Sequence, residues 1–269
     1  ARLLIEARDL HSLIEACEAC REAGIPWVAL GGGSNLLVSD AGFQGAVISL
    51  GDGFSKCTFD EQLGVFSVGA GLRLSQLVRQ AAERGRTGLE FAVGIPGTVG
   101  GAIRMNAGTR REFLGPRVVS VTTLRPGSGL RRYVARDIEW NYRETSVPFD
   151  EVVLECEVAT EPGDAEEVRH AMRKSQERRR VTQPLGLPSC GSVFRNPERE
   201  SVGRLIENVG LKGAMCGGAQ ISERHANFIV NKGGAKAVEV LSLIHAASEA
   251  VGERYGIELV PEVRFLGFE

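Results

Sequence analysis

Between Asp9 and Gly24, apolar residues fall at positions 10, 13, 14, 17 and 20, one face of a 3.6-residue repeat, which predicts an amphipathic helix. Asp9 can cap its start and Gly24 can close it. IPWVAL then predicts a short strand rising into GGGSN, and LLVSD, GAVISL and GVFSVGAG predict three more. RLSQLVRQAAERG returns to helical spacing, with Leu74, Leu77, Val78 and Ala81 on one face and Gly85 at its end. RVVSVTTLRPGSGLRRYVA predicts a hairpin turning at Pro126–Gly129, and EVVLECEVAT predicts a strand.

The texture changes at Glu161–Asp164. EPGDAEEVRHAMRKSQERRR is a long charged helix, acidic in its first turn and basic in its last, as the helix dipole favours. After it come the loop VTQPLGLPSCGS, the helix SVGRLIENVG and the strand HANFIVN. A long helix, AKAVEVLSLIHAASEAVGERYG, and a final strand, IELVPEVRF, follow. The pattern predicts an α+β chain of two domains, 1–162 and 163–269, without repeats.

One stretch breaks the periodicity. GIPGTVGGAIRMNAG (94–108) holds five of the chain's 34 glycines, and its one charged side chain is Arg104. Glycine and proline weaken both regular structures, so the stretch is expected to be neither an ordinary helix nor a central strand. An earlier loop, LGGGSNLLV, sets Gly31, Gly32 and Gly33 before Ser34 and Asn35. Glycines free the backbone to present successive N–H groups in a nest that suits phosphate oxygens. A tight interstrand turn explains one such loop equally well. Strand follows it rather than helix, which argues against a Rossmann site. Two such loops in one domain suggest a dinucleotide threaded between them, and a flavin fits best.

Composition narrows the classes. A net charge of −2 gives no electrostatic case for nucleic-acid or membrane partners. The apolar runs are far shorter than the ~18 residues of a membrane span. The first residues lack the pattern of a signal peptide, and the chain is expected to be trimmed at its N-terminal strand. Six cysteines in 269 residues do not make a disulfide framework. Cys17 and Cys20 are expected to pack within their helix, in a reduced, metal-free cytoplasmic protein.

The ordered series LGGGSNLLV, GIPGTVGGA…MNAG, NYR, PSCGSVFRNP, GGAQIS…HANFIVN and PEVRF runs from about residue 26 to the last strand. It resembles the UDP-N-acetylenolpyruvoylglucosamine reductase family, in its shorter second type. The resemblance implies the FAD-binding fold of the p-cresol methylhydroxylase and vanillyl-alcohol oxidase class, followed by a smaller α+β substrate domain. It implies FAD as cofactor, and NADPH and UDP-N-acetylglucosamine enolpyruvate as substrates. FAD would lie against Gly31, Gly32, Gly33, Ser34 and Asn35, and against Gly94, Ile95, Pro96, Gly97, Thr98, Gly100, Gly101 and Ala102. The sequence departs from the family at Thr109–Arg110–Arg111 and in the Trp140 that opens WNYR.

The same resemblance implies three catalytic residues. Arg143 would hold the substrate carboxylate with its forked guanidinium, Ser192 would protonate the carbanion, and Glu262 would assist Arg143. From the residues alone, a surface ion pair of Arg143 with Glu144 or Asp150 is the plainer reading, Ser192 reads as a turn residue, and Glu262 reads as paired with Arg264 or facing solvent. Tyr142, Asn196, His225 and Asn227 are candidates for the UDP-sugar, with Arg195 and the basic helix end at Arg178–Arg180 beside them. Another flavin oxidase on the same fold, or a flavin- or nucleotide-sugar-binding module without turnover, accounts for the glycine loops but not for the conjunction of Arg143, Ser192 and Glu262.

Overall fold

A computed structural model describes residues 1–268. The chain folds as two compact units, one made of Ala1–Gly33 and Gln44–Gln176, the other of Ser34–Phe43 and everything from Glu177 onward.

In the first unit, a strand at Leu3–Ala7 leads into helix α1 (Leu10–Glu22). Asp9 and Ser12 form a reciprocal capping box: Ser12 N–H donates to Asp9 Oδ1 at 2.8 Å, and Asp9 N–H donates to Ser12 Oγ at 3.0 Å. Leu3–Ala7, Ala46–Leu50 and Trp27–Leu30 make a parallel three-stranded sheet with Ala46–Leu50 in the centre. Cys17 is fully buried, and burial pushes its thiol up to about 11, so it packs as a small apolar group.

An antiparallel five-stranded sheet forms the rest of the framework, in the order 57–60, 65–69, 152–159, 118–125, 129–134. Helix α2 (Leu74–Glu83) buries Leu74, Leu77, Val78 and Ala81 in the same core as Phe66, Val121 and Val158 of that sheet. The hairpin turns at Pro126–Ser128, as its turn residues predict.

Helix α3 (Val99–Arg104) corrects the reading of 94–108 as irregular throughout. Thr98 caps it, its Oγ1 accepting from Gly101 N–H at 3.4 Å. A Cβ on Gly100 would lie 2.8 Å from Ala70 Cβ, so a glycine that weakens the helix locally lets it lie against the chain at Ala70.

Helix α4 (Ala165–Thr182) spans the change from one unit to the other, so the boundary differs from the one expected at 162–163. Its first turns belong to the first unit because Val168 is buried and Met172 packs on the sheet core.

The second unit is built on a four-stranded antiparallel sheet, ordered 189–192, 228–231, 219–221, 215–216. Helices α5 (Val202–Asn208) and α6 (Ala237–Tyr255) bury Val202, Leu205, Ile206, Leu243, Ile244 and Val251 with Ala219, Ile221 and Ile229 of the sheet. Asp40 accepts from Ala237 N–H at 2.8 Å and Val238 N–H at 3.0 Å, capping α6 from 197 residues away. Those two backbone bonds hold its carboxyl below the usual range.

The expected final strand is shorter than IELVPEVRF. Only Arg264–Leu266 forms one, parallel to Leu36–Val38, and Pro261 makes an isolated bridge to Phe194. Glu262 therefore stands in irregular backbone just before the strand.

Candidate active site

In the first unit the two glycine loops touch. A Cβ on Gly32 would sit 2.8 Å from Gly97 Cα, and one on Gly31 would sit 2.6 Å from Thr98 Oγ1. They form a joint strip of backbone, and no ligand passes between Gly32 and Gly97. Much of the second loop's N–H supply goes to protein carbonyls: Ile95 to Ala92, Val99 to Leu72, Gly100 to Ala70 and Ala102 to Thr98, all at 2.8–3.1 Å. The N–H groups of Gly100 and Ala102 are thus used within the protein. Gly31, Gly32 and Gly33 are exposed, and Gly33 is left-handed with φ +66 and open space where a Cβ would be. Gly94 and Gly97 are left-handed too, at φ +74 and +105.

A two-residue turn, Tyr142–Arg143, joins the short antiparallel strands Trp140–Asn141 and Glu144–Thr145. Arg143 has φ +60, at a turn position where glycine is the ordinary choice. An arginine there costs about 1–3 kcal/mol of local strain, and such residues cluster at functional sites. Its guanidinium lies 4.7 Å over the Tyr142 ring and its Nη2 donates to the Gly108 carbonyl at 2.7 Å. Tyr142 thus packs under the cation. Asp150 pairs instead with Arg125 at 2.7 Å.

In the second unit, a bulge interrupts the pairing of Ser189–Ser192 with the strand 228–231, and Gly191 within it has φ +81. Bulges re-aim side chains, and this one ends on Ser192, half-buried opposite Phe228. Glu262 lies against the same segment: its N–H donates to the Val193 carbonyl at 2.7 Å. The Asn35 amide donates to the Glu262 carbonyl at 3.0 Å, and the Asn35 carbonyl accepts from Arg264 N–H. Asn35, expected at the flavin, thus anchors the Glu262 backbone. Ser192 and Glu262, 70 positions apart, are brought onto adjacent backbone segments.

The remaining candidates divide. The Asn227 amide donates to the Phe194 carbonyl at 2.8 Å and accepts from Phe194 N–H at 3.0 Å, and the residue is buried. These two bonds make it a clamp on the backbone at Phe194. His225 accepts from Asn227 N–H through Nδ1 at 3.2 Å and meets Phe228 edge-on. Burial lowers its pKa, keeping the ring neutral, so it too holds the loop. Asn196 accepts from Val202 N–H at 3.1 Å at the start of α5. Arg180 makes two 2.9 Å bonds to Glu177 on its own helix. A cavity of about 270 Å³ lies elsewhere in the unit, lined by Leu187, Gln220, Ser222, Glu223, Arg224 and Lys232 among others.

Comparison with known proteins follows the same division. Residues 1–129 match the FAD binding domain, and 183–266 match the UDP-N-acetylenolpyruvoylglucosamine reductase C-terminal domain. The UDP-N-acetylenolpyruvoylglucosamine reductase of Syntrophotalea carbinolica is 40% identical over 99% of this chain and 88% of its own length. That of Anaeromyxobacter dehalogenans is 45% identical over 99% of this chain and 80% of its own. The crystal structure of the Thermus caldophilus enzyme superposes with a TM-score of 0.83 at 35% identity, covering 98% of this chain and 91% of that one. The exposed, side-chain-free strip at Gly31–Gly33 lies inside the FAD binding domain and fits a flavin diphosphate, which needs close approach of backbone N–H groups. On its identity over nearly its whole length, and on a fold shared from end to end, the chain belongs to the UDP-N-acetylenolpyruvoylglucosamine reductase family.

Proposed function

We propose that this chain reduces UDP-N-acetylglucosamine enolpyruvate to UDP-N-acetylmuramate with NADPH, a step in peptidoglycan precursor synthesis. The observation that carries the reading is Arg143, a cation held in a glycine-favouring conformation beside Gly108 at the end of the flavin-loop segment. Bound FAD supplies the hydride carrier between NADPH and the enolpyruvyl double bond. Gly31–Gly33 and Ser34, with Gly94, Ile95, Pro96, Gly97, Thr98 and Gly101, are the residues that would hold it.

The chain's own groups then manage charge and the proton. Hydride addition at the terminal carbon pushes negative charge onto the neighbouring carbon and its carboxylate. Arg143 binds that carboxylate through its planar fork, more tightly as charge develops. Glu262 stands by to assist, and Ser192 donates the proton to the carbon, with water restoring its hydroxyl proton. We place the work in the cytoplasm, where the six free cysteines stay reduced.

The test is a colour cycle under anaerobic conditions. The purified protein should be yellow, NADPH should bleach it, and the enolpyruvyl UDP-sugar should restore the colour. Colour that returns with oxygen but not with this sugar would replace the reading by a flavin oxidase.

Gly32→Val tests the loops. The new side chain would press on the Gly97 backbone, an overpacking worth about 1–3 kcal/mol. The variant should purify colourless, with a lowered melting temperature and most of its far-ultraviolet circular dichroism intact. A variant that keeps its full flavin would remove Gly32 from the FAD site.

A further inference from the structure

Among the described residues, two that are not glycine have positive φ: Asn106 at +40 and Arg143 at +60. They hold each other. Asn106 Nδ2 donates to the carbonyl of Asn141, two residues before Arg143, at 2.8 Å. Arg143 Nη2 donates to the carbonyl of Gly108, two residues after Asn106, at 2.7 Å. Each side chain thus fixes the backbone that carries the other. Asn106 is buried, and its remaining oxygen accepts from Gly115 N–H at 2.9 Å, so its amide is oriented from both ends. Both bonds run from a side chain to backbone, and neither belongs to a strand ladder.

We infer that Asn106 is a positioning residue for Arg143: the reciprocal clamp holds the turn at 142–143 in the conformation that presents the guanidinium, and ties that turn to the end of the flavin-loop segment. The inference rests on the reading of Arg143 as the carboxylate ligand. Asparagine suits the task on three counts. It tolerates left-handed backbone better than other side chains with a β-carbon. Its amide supplies a donor for Asn141 and an acceptor for Gly115 at once. It carries no charge that would compete with substrate for Arg143.

The clamp predicts a coupling between the two positions. In Asn106→Asp, one carboxylate oxygen can still accept from Gly115, but the group facing the Asn141 carbonyl is no longer a donor. In Asn106→Gly, the left-handed backbone is kept at no steric cost while both side-chain bonds vanish. Each variant is made in the flavin-loaded enzyme, with Arg143 intact and with Arg143→Ala. Stopped-flow absorbance follows flavin bleaching by NADPH and recolouring by UDP-N-acetylglucosamine enolpyruvate separately. Bleaching should stay near the parent rate. Recolouring should slow by about 100-fold, the usual effect of misplacing a reacting group by an ångström. In the Arg143→Ala background neither variant should slow it further, since groups acting as a unit are not additive. If the Asn106 variants slow both backgrounds by the same factor, Asn106 does not act through Arg143 and the clamp fails alone. Unchanged recolouring in Arg143→Ala itself removes the reading of Arg143, and the clamp with it. Loss of flavin from both Asn106 variants makes the residue a structural part of the loop and overturns the inference as well.

Discussion

Arg143→Lys should recolour its flavin with the enolpyruvyl substrate some 10²–10³-fold more slowly than the parent, while NADPH bleaches it at the parent rate. The expected loss, about 2.7–4 kcal/mol of transition-state stabilisation, matches the removal of one well-placed donor to a developing oxyanion. Lysine keeps the positive charge and suffers no more from a φ of +60 than arginine does. What it loses is geometry. One guanidinium can donate to the Gly108 carbonyl through Nη2 and still offer other N–H groups to a carboxylate, whereas an ammonium reaching that carbonyl presents a single point. The measurement is single-turnover recolouring after anaerobic reduction, with Arg143→Ala as the lower limit. A lysine variant as fast as the parent would mean that charge alone suffices at this position and that the fork holds only the loop.

Ser192→Ala should separate the two half-reactions even more sharply. The variant should bind FAD and bleach normally with NADPH, because the hydroxyl removed is the proton donor of the second half-reaction and takes no part in the first. Recolouring should fall by about 10²–10⁴-fold, the contribution of a positioned general acid. The backbone at 192 pairs with Phe228, and the turn into it depends on Gly191, so alanine leaves the local structure in place. Ser192→Cys should recover part of the rate, since a thiol gives up its proton more readily than an alcohol. Normal recolouring in the alanine variant would assign the proton to another donor and leave Ser192 as the end of a bulge.

Several residues have a structural part that the sequence does not reveal, for one shared reason. Asn227 and His225 are residue types that serve a ligand or a backbone equally well, and only the Phe194 carbonyl and N–H decide for backbone. Gly100 reads as bare backbone for a cofactor, yet its absent side chain makes room for Ala70. Asn106, missed entirely, carried one legible signal: an Asn followed two residues later by Gly, a common setting for left-handed turns. Its partner at Asn141 is 35 residues away and leaves no local trace.

Helices α1, α2, α4, α5 and α6 and the 118–134 hairpin could be placed from the chain because their causes are local: apolar spacing, a capping pair, a left-handed glycine, a proline turn. The glycine loops were visible for the same reason, since only unusual composition permits such backbone. Pairings between distant segments were not. Asp40 capping α6 and Asn35 holding Glu262 place residues 34–43 in the second unit, although they follow directly from a loop in the first. The strand at 264–266 exists because 36–38 lies beside it, and the preceding IELVP stays irregular despite its strand-like composition. A hydrogen bond across two hundred residues depends on where the folded chain brings its ends together, and no window of neighbouring side chains contains that information.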